Sequence, residues 1–447
     1  MHDHGPVLDG RVHRHLADKI WPASAQKIAD LEVAFAPITD PDDATGHAAA
    51  PGAIGQGEPI SIDEALRLTY EPAAVGDEWG PAWGTTWMRF RGQVPSDYRD
   101  AHIEAAVDLG AIGGPGFTCE GLVVRPDGTV IKGLNPRNQW VPIECDEDGR
   151  FEFFVEAAAN PVMLDSPPFR ETERGTKAGA GSAPIHTLRT AELQLIHDEV
   201  RALALDIEAL HETAAQLPED SARRWEIRRA LDRALDALSL RDIVGTAEAV
   251  RSELRPTLER TAEDGSHLLH AVGHAHIDSA WLWPLRETRR KVARTIANQL
   301  TLTERFPEHR FSFPAAQHSA WLEEDHPQLF ERLQQAVADG RIIPVGGMWV
   351  ESDANLPSGE AMCRQFLQGQ RFFTERFGKP CTEVWLPDSF GYSGGLPQLA
   401  KLAGARWFLT QKISWNQVND FPHHSFTWEG IDGTRIFTHF PPADTYC

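Results

Sequence analysis

The spacing of hydrophobic residues changes rhythm twice along this chain. Over about the first 160 residues, short runs alternate apolar and polar positions, as in Trp-Met-Arg-Phe-Arg-Gly-Gln-Val at 87–94 and Phe-Glu-Phe-Phe-Val at 151–155. A period of two places successive side chains on opposite faces of a strand. Pro-Asp-Gly at 126–128 and Asp-Glu-Asp-Gly at 146–149 punctuate these runs as turns. The pattern predicts a β-rich, sandwich-like or jelly-roll domain over residues 1–185, with a flexible glycine-rich loop at 175–182.

A spacing of three and four follows. Leu193, Ile196, Val200, Leu203, Ile207 and Leu210 fall on one helical stripe, and Ile227, Leu231, Leu235 and Leu238 on a second. Leu-Pro-Glu-Asp-Ser at 217–221 breaks the two and supplies a cap. These stripes predict a helical connector over 186–265. From 266 to 447, strand-like runs at 268–272, 310–313, 341–345, 383–386 and 406–409 alternate with helical runs at 284–303, 327–339, 358–378 and 397–403. Repeated β/α units predict a parallel sheet or barrel with its chemistry at the carboxyl ends of the strands. A last strand pair is expected at 426–429 and 435–439.

Each of the five strand ends carries polar or aromatic residues. His274, His276, Asp278 and Trp281 follow the first, Gln317 and His318 the second, and Glu351 and Asp353 the third. Asp388 and Phe390 follow the fourth, Lys412 and Trp415 the fifth. Residues two apart on a strand share a face, so His274, His276 and Asp278 are expected to point one way. Two imidazoles and a carboxylate suit a divalent metal such as zinc. The flat faces of Trp281 and Trp283 suit a sugar ring. A single Asp after a strand is more often a cap or turn residue, but five loaded strand ends in succession point to a site.

Composition narrows the classes. Hydrophobic content of 41% and charged content of 24% are those of an ordinary globular protein, and no apolar run reaches the length of a membrane span. The N-terminus lacks the basic start and apolar core of a signal peptide. Cys119, Cys145, Cys363, Cys381 and Cys447 form no C-x-x-C pair, which argues against a cysteine zinc cluster or disulfide framework and for a reducing cytoplasm. A net charge of −22 repels nucleic acid and anionic membrane. It suits a neutral substrate, and equally serves solubility alone.

At this point the motifs carry a resemblance. Gly-His-Ala-His-Ile-Asp-Ser-Ala-Trp-Leu-Trp-Pro at 273–284 resembles the metal motif of the glycoside hydrolase family 38 α-mannosidases. Gly-Gly-Met-Trp-Val-Glu-Ser-Asp at 346–353 and Trp-Leu-Pro-Asp-Ser-Phe-Gly-Tyr at 385–392 are similar to its third-strand and nucleophile segments. Phe-Leu-Thr-Gln-Lys-Ile-Ser-Trp-Asn at 408–416 and the segment from His439 to Tyr446 are similar to the cytosolic or vacuolar branch. The resemblance implies that His276, Asp278 and Asp388 bind one divalent metal ion, most often zinc, and that Asp388 is also the nucleophile. It implies that Trp281 stacks on the sugar, that Phe390 lines the same subsite, and that Lys412 bonds a sugar hydroxyl or balances the carboxylates. His274 is then an orienting or simply packed histidine. Glu351 and Asp353 would bond sugar or lysine, with the proton-donor role as the lesser alternative.

The chemistry can be argued separately. Mannose carries an axial 2-hydroxyl cis to its 3-hydroxyl, a pair that a metal can chelate. Retaining hydrolysis needs two carboxyl groups roughly 5–5.5 Å apart, one nucleophile and one acid/base. The resemblance covers only the N-terminal part of a longer enzyme, so an incomplete barrel is expected. The fourth metal ligand and the acid/base residue are then expected beyond residue 447, and this chain alone is expected to be weakly active or inactive. The implied partner is a mannose-containing oligosaccharide, and the full-length form is compatible with a homo-oligomer. Two rivals remain: a non-catalytic carbohydrate-binding fragment, and a metal-dependent amidohydrolase using His274 and His276 together.

Overall fold

The computed structural model describes residues 4–38, 60–162, 181–261 and 268–441. Residues 175–180 of the expected glycine-rich loop, the boundary at 265/266 and Cys447 lie outside these. The strands of the first zone are β1 (Ala25–Asp30), β2 (Glu32–Ile38), β3 (Glu71–Ala73), β4 (Glu78–Trp79), β5 (Thr85–Gln93), β6 (Ile103–Asp108), β7 (Glu120–Val124), β8 (Val130–Leu134), β9 (Trp140–Pro142), β10 (Arg150–Ala158), β11 (His186–Thr187) and β12 (Thr190–Ile196). They pair into a six-stranded sheet, β3-β2-β5-β10-β7-β8, a four-stranded sheet, β1-β12-β6-β9, and a short β11-β4 ribbon. The period of two explains the layering. Met88, Phe90, Phe153 and Val155 enter the core between the sheets, with Phe90 stacked on Phe153 at 5.1 Å. Trp87, Leu122, Val124 and Phe154, on the opposite face, enter a second core.

Four helices form the next unit: α1 (Gly5–His15), α2 (Asp198–Gln216), α3 (Ala222–Ala237) and α4 (Ile243–Leu258). Val12, Leu16 and Ile20 pack with Val200, Leu203, Ile207, Leu231 and Val250, so the start of the chain belongs to this bundle. Leu193 and Ile196 differ from the helical stripe expected of them. They lie in β12, between β1 and β6, where buried Ala191 and Leu193 alternate with half-buried neighbours. A strand joined directly to a helix mimics the helical spacing across the joint.

The third zone contains β13 (Gly273–His274), α5 (Leu285–Arg305), β14 (Phe311–Phe313), α6 (Ala316–Asp325), α7 (Pro327–Ala338), β15 (Ile342–Pro344), α8 (Gly359–Phe377), β16 (Glu383–Trp385), α9 (Leu396–Leu402), β17 (Trp407–Leu409), β18 (Ser425–Glu429) and β19 (Arg435–His439). The helix punctuation follows the sequence. Ser358 Oγ accepts the Ala361 N–H at 3.2 Å, and Gly378 takes φ 76° to end α8. The first strand lies beyond the run expected to form it: residues 268–272 belong to no strand, Leu268 and Leu269 are exposed, and only Gly273 and His274 pair with β14. A hydrophobic run becomes a strand only beside a ladder that accepts its hydrogen bonds.

The ladders form two sheets. One is parallel, β13-β14-β15; the other is β16-β17-β19-β18, parallel except for the β18-β19 hairpin. Among the described residues no ladder joins them, so the hydrogen bonds do not draw the expected incomplete barrel as one sheet. Side chains bridge the gap. His274 Nδ1–H donates to Ser312 O on β14 at 3.1 Å, and His274 Nε2 accepts from Trp385 Nε1 on β16 at 3.4 Å.

The long helix α5 joins the zones. Val292, Ile296 and Leu300 share one core with Trp87, Leu122 and Phe154 of the sandwich and with Phe311, Phe313 and Ile342 of the first parallel sheet. Gly133 on β8 meets this helix so closely that an added Cβ would lie 2.9 Å from Arg294 Cβ. Beside that core lies a buried charge network. Glu287 pairs with Arg290 and Arg294, Arg294 Nε donates to Glu120 Oε2 at 2.9 Å, and Asn160 Nδ2 donates to Glu287 Oε1 at 2.8 Å. Among the described residues, no helix is long and apolar enough to cross a membrane.

Candidate metal and sugar site

The site forms where β13, β15, β16 and β17 give way to loops. The two-residue period does not extend past His274, since the strand stops there. His276 and Asp278 still converge, because the loop carrying them is held from behind. Thr288 Oγ1 on α5 donates to Ser279 O at 2.8 Å, and His318 Nε2 lies 3.2 Å from Ser279 Oγ. His318 is buried in α6, and that burial, with the nearby charge of His276, pushes its pKa down to about 3. The fourth strand end is pinned too: Ser389 Oγ donates to Ser352 O at 3.0 Å, and Tyr392 OH donates to Ser389 O at 2.9 Å.

Around one point stand His276 Nε2, Asp278 and Asp388. Nε2 lies 3.2 Å from Asp278 Oδ1 and 3.7 Å from Asp388 Oδ2, and one ligand atom from each residue lies within 4.8 Å of the others. The opposite ring nitrogen, Nδ1, lies 2.7 Å from Glu351 Oε2. This bond occupies Nδ1 and leaves Nε2 to face the two aspartates, the arrangement by which a carboxylate orients a metal-binding imidazole. Burial alone would lower the pKa of His276; hydrogen bonds to Asp278 and Glu351 and their charges outweigh it and raise the value to about 10. The surroundings therefore draw positive charge to this point, and one nitrogen with carboxylate oxygens is a donor set that suits zinc. Lys412, buried, holds the other Asp388 oxygen, Oδ1, at 2.9 Å.

Aromatic rings flank the cluster. Trp281, half exposed, meets Trp283 with ring centres 6.0 Å apart. Phe390 meets Trp415 at 5.8 Å, and Lys412 Nζ lies 3.3 Å from the Trp415 ring centre. Two sequence candidates stand elsewhere. His274 spends both ring nitrogens on Ser312 and Trp385, and burial lowers its pKa. Asp353 is exposed and caps its own turn, accepting from the N–H groups of Asn355 at 2.7 Å and Leu356 at 2.8 Å. Glu351 bonds His276, where sugar or lysine was expected. Sequence reasoning missed Phe117, on the sandwich, whose ring centre lies 5.8 Å from that of Trp281. Its only signal is an aromatic residue ending a glycine-rich turn.

Comparison with known proteins fits this arrangement. Residues 266–447 match the glycosyl hydrolases family 38 N-terminal domain, and residues 47–194 match the alpha-mannosidase jelly roll domain. The two matches place this chain beside sugar-cleaving hydrolases that carry an attached β-sandwich. The chain resembles the N-terminal portion of the glycoside hydrolase family 38 α-mannosidases, on the side of the cytosolic- and vacuolar-type enzymes. It is 39% identical over 410 residues to Alpha-mannosidase 2C1 of Homo sapiens, covering 87% of this chain and 36% of that protein. It is 35% identical over 409 residues to an alpha-mannosidase of Saccharomyces cerevisiae, with the same coverages of 87% and 36%. The chain therefore spans about a third of the length of the curated relatives it matches. A solved alpha-mannosidase from Enterococcus faecalis V583 is 26% identical over 38% of this chain and 19% of that one, with a TM-score of 0.35, too low to carry an argument.

Proposed function

We propose that this chain supplies the cation site and nucleophile of a retaining, metal-dependent α-mannosidase acting on terminal α-mannosyl residues of oligosaccharides. The observation that carries the reading is the meeting of His276 Nε2, Asp278 and Asp388 around one point. In this reading those three residues hold one divalent ion, zinc by preference. Bound there, the ion supplies Lewis acidity and an electrostatic anchor for vicinal sugar hydroxyls. Asp388 attacks the anomeric carbon, and its ion pair with Lys412 fixes the direction of attack. Glu351 sets the tautomer of His276. Trp281 and Phe390 offer apolar faces to the ring. Retention requires a second carboxyl as acid/base. Glu351 is committed to His276 and Asp353 to its own turn, so neither takes that role.

The same reading includes a cytoplasmic location and a β/α barrel to which both parallel sheets contribute. It keeps the three-part organisation (1–185, 186–265, 266–447) with two amendments: the start of the chain, with Val12, Leu16 and Ile20, packs in the helical unit, and the sandwich reaches Ile196, since β12 pairs within it. The amidohydrolase alternative loses its second imidazole, because His274 is turned to Ser312 and Trp385. The test is zinc titration of the purified chain, paired with hydrolysis of an aryl α-mannoside by the longest natural form of the protein. Zinc is expected to bind one to one, and Asp388→Ala to weaken zinc binding and lower turnover by about a thousandfold or more. Zinc binding indifferent to His276→Ala and Asp388→Ala would refute the reading, and mannose binding without hydrolysis in that longest form would favour a carbohydrate-binding role.

A further inference from the structure

The turn between β6 and β7 reaches from the sandwich to the edge of the sugar site. Gly113 and Gly116 adopt φ of 93° and 89°, which lets the chain fold back on itself there. The turn is nevertheless anchored. The Ile112 N–H donates to Thr118 Oγ1 at 3.1 Å, and the Gly116 N–H donates to Glu120 Oε1 at 2.9 Å. Lys291 Nζ, on α5, donates to Gly116 O at 2.8 Å and also lies 4.8 Å from the Trp283 ring centre. Phe117, the next residue, is therefore set by groups of both the sandwich and α5. Its ring meets Trp281 at 5.8 Å and 84°, and Trp283 at 6.2 Å. Two flat rings at nearly a right angle form a corner. Trp281, 51% exposed, is one wall, three residues after Asp278. Phe117 adds a ring of the sandwich to the apolar surface that Trp281 and Trp283 begin.

We infer that Phe117 is a specificity-determining residue that walls the position of the second residue of an α-mannosyl oligosaccharide. This rests on the glycosidase reading above and deepens it, naming the residue that holds the unit next to the terminal mannose. A single mannosyl ring held at the cation point uses Trp281; only a longer glycan reaches the Phe117 wall. The sandwich then acts as part of the substrate cleft.

The test is calorimetric titration of the zinc-loaded longest natural form of the protein with methyl α-mannoside and with a linear α-linked mannotriose. Phe117→Ala and Phe117→Leu are expected to weaken mannotriose about tenfold, the scale of one lost aromatic contact, and to leave methyl α-mannoside within about twofold. Phe117→Tyr restores mannotriose binding. The Leu variant keeps apolar bulk in the turn, so it separates loss of the flat face from loss of packing. Equal weakening of both sugars, or mannotriose binding unchanged in the Ala and Leu variants, overturns the inference. A zinc-loaded wild type that binds neither sugar overturns the glycosidase reading and this inference with it. That result is distinct from a wild type that binds both sugars and ignores Phe117.

Discussion

Glu351 occupies the position from which a single side chain controls the cation point. It bonds His276 Nδ1 at 2.7 Å, while its other oxygen, Oε1, is buried with no hydrogen-bond partner among the described residues. Glu351→Gln keeps the shape and removes the charge. Zinc affinity is expected to fall about 10- to 100-fold, read by competition with a chelating dye, with little change in melting temperature; unchanged affinity would show that Glu351 does not orient the imidazole. Much of the site was legible at this scale. His276, Asp278, Asp388 and Lys412 all follow strands, and the fold brings them together. His274, expected as an orienting or packed histidine, stands apart from the cluster because two-residue spacing aligns side chains only while the strand lasts, and β13 ends at that residue. Asp353 misled because an aspartate beside free backbone N–H groups caps them first. Phe117 was hidden because its partner Trp281 lies in another zone of the chain.

At the scale of elements, α5 was the most legible and carries the most consequence. Its expected bounds, 284–303, lie within two residues of Leu285–Arg305 at each end. Its neighbour α6 escaped notice because Ala-Gln-His-Ser-Ala-Trp-Leu at 316–322 has no clear apolar stripe and follows Ala315, whose φ is 63°. On α5, Glu287 is buried; desolvation alone would raise its pKa, but Arg294, Arg290 and Lys291 outweigh it and hold the value at about 2. Glu287→Gln leaves buried guanidinium groups without their charge partner and is expected to destabilise the chain by about 3–5 kcal/mol in urea unfolding. The two buried groups also set the response to acid. Between pH 6.5 and about 3, the unfolded chain protonates the counterpart of His318 while the folded chain does not, so stability falls as pH drops through that window. Glu287 adds a second loss as pH drops from 4.5 toward about 2. Equilibrium unfolding from about pH 7 to about pH 4 is expected to show declining stability below pH 6.5, and His318→Gln to make the part above about pH 5 less steep, with His274 and His326, whose pKa values burial also lowers, keeping a share of the slope. A flat profile in the wild type would count against both assignments.

Across the whole molecule, the sandwich and the family 38 zone share one apolar core and one buried ion network. They are therefore expected to unfold together. Scanning calorimetry should give a single transition for these two parts, and residues 266–447 expressed alone should lack a cooperative one, since the α5 face would lose its cover. Two separate transitions that assign these parts individually would refute this. The sequence announced the sandwich, the helices and the β/α alternation, each a local rhythm. It did not announce the seam between them, because contacts such as Gly133 against Arg294 join positions far apart in the chain.

That seam sets a rule for relatives. A protein that keeps the family 38 zone but dispenses with the sandwich uncovers the side of α5 bearing Glu287, Arg290, Lys291 and Arg294. Water would then satisfy those charges, and nothing would oblige them to recur as a set. In homologous sequences the four should be inherited or discarded along with the sandwich, so that a gene lacking the one is expected to have let the other drift.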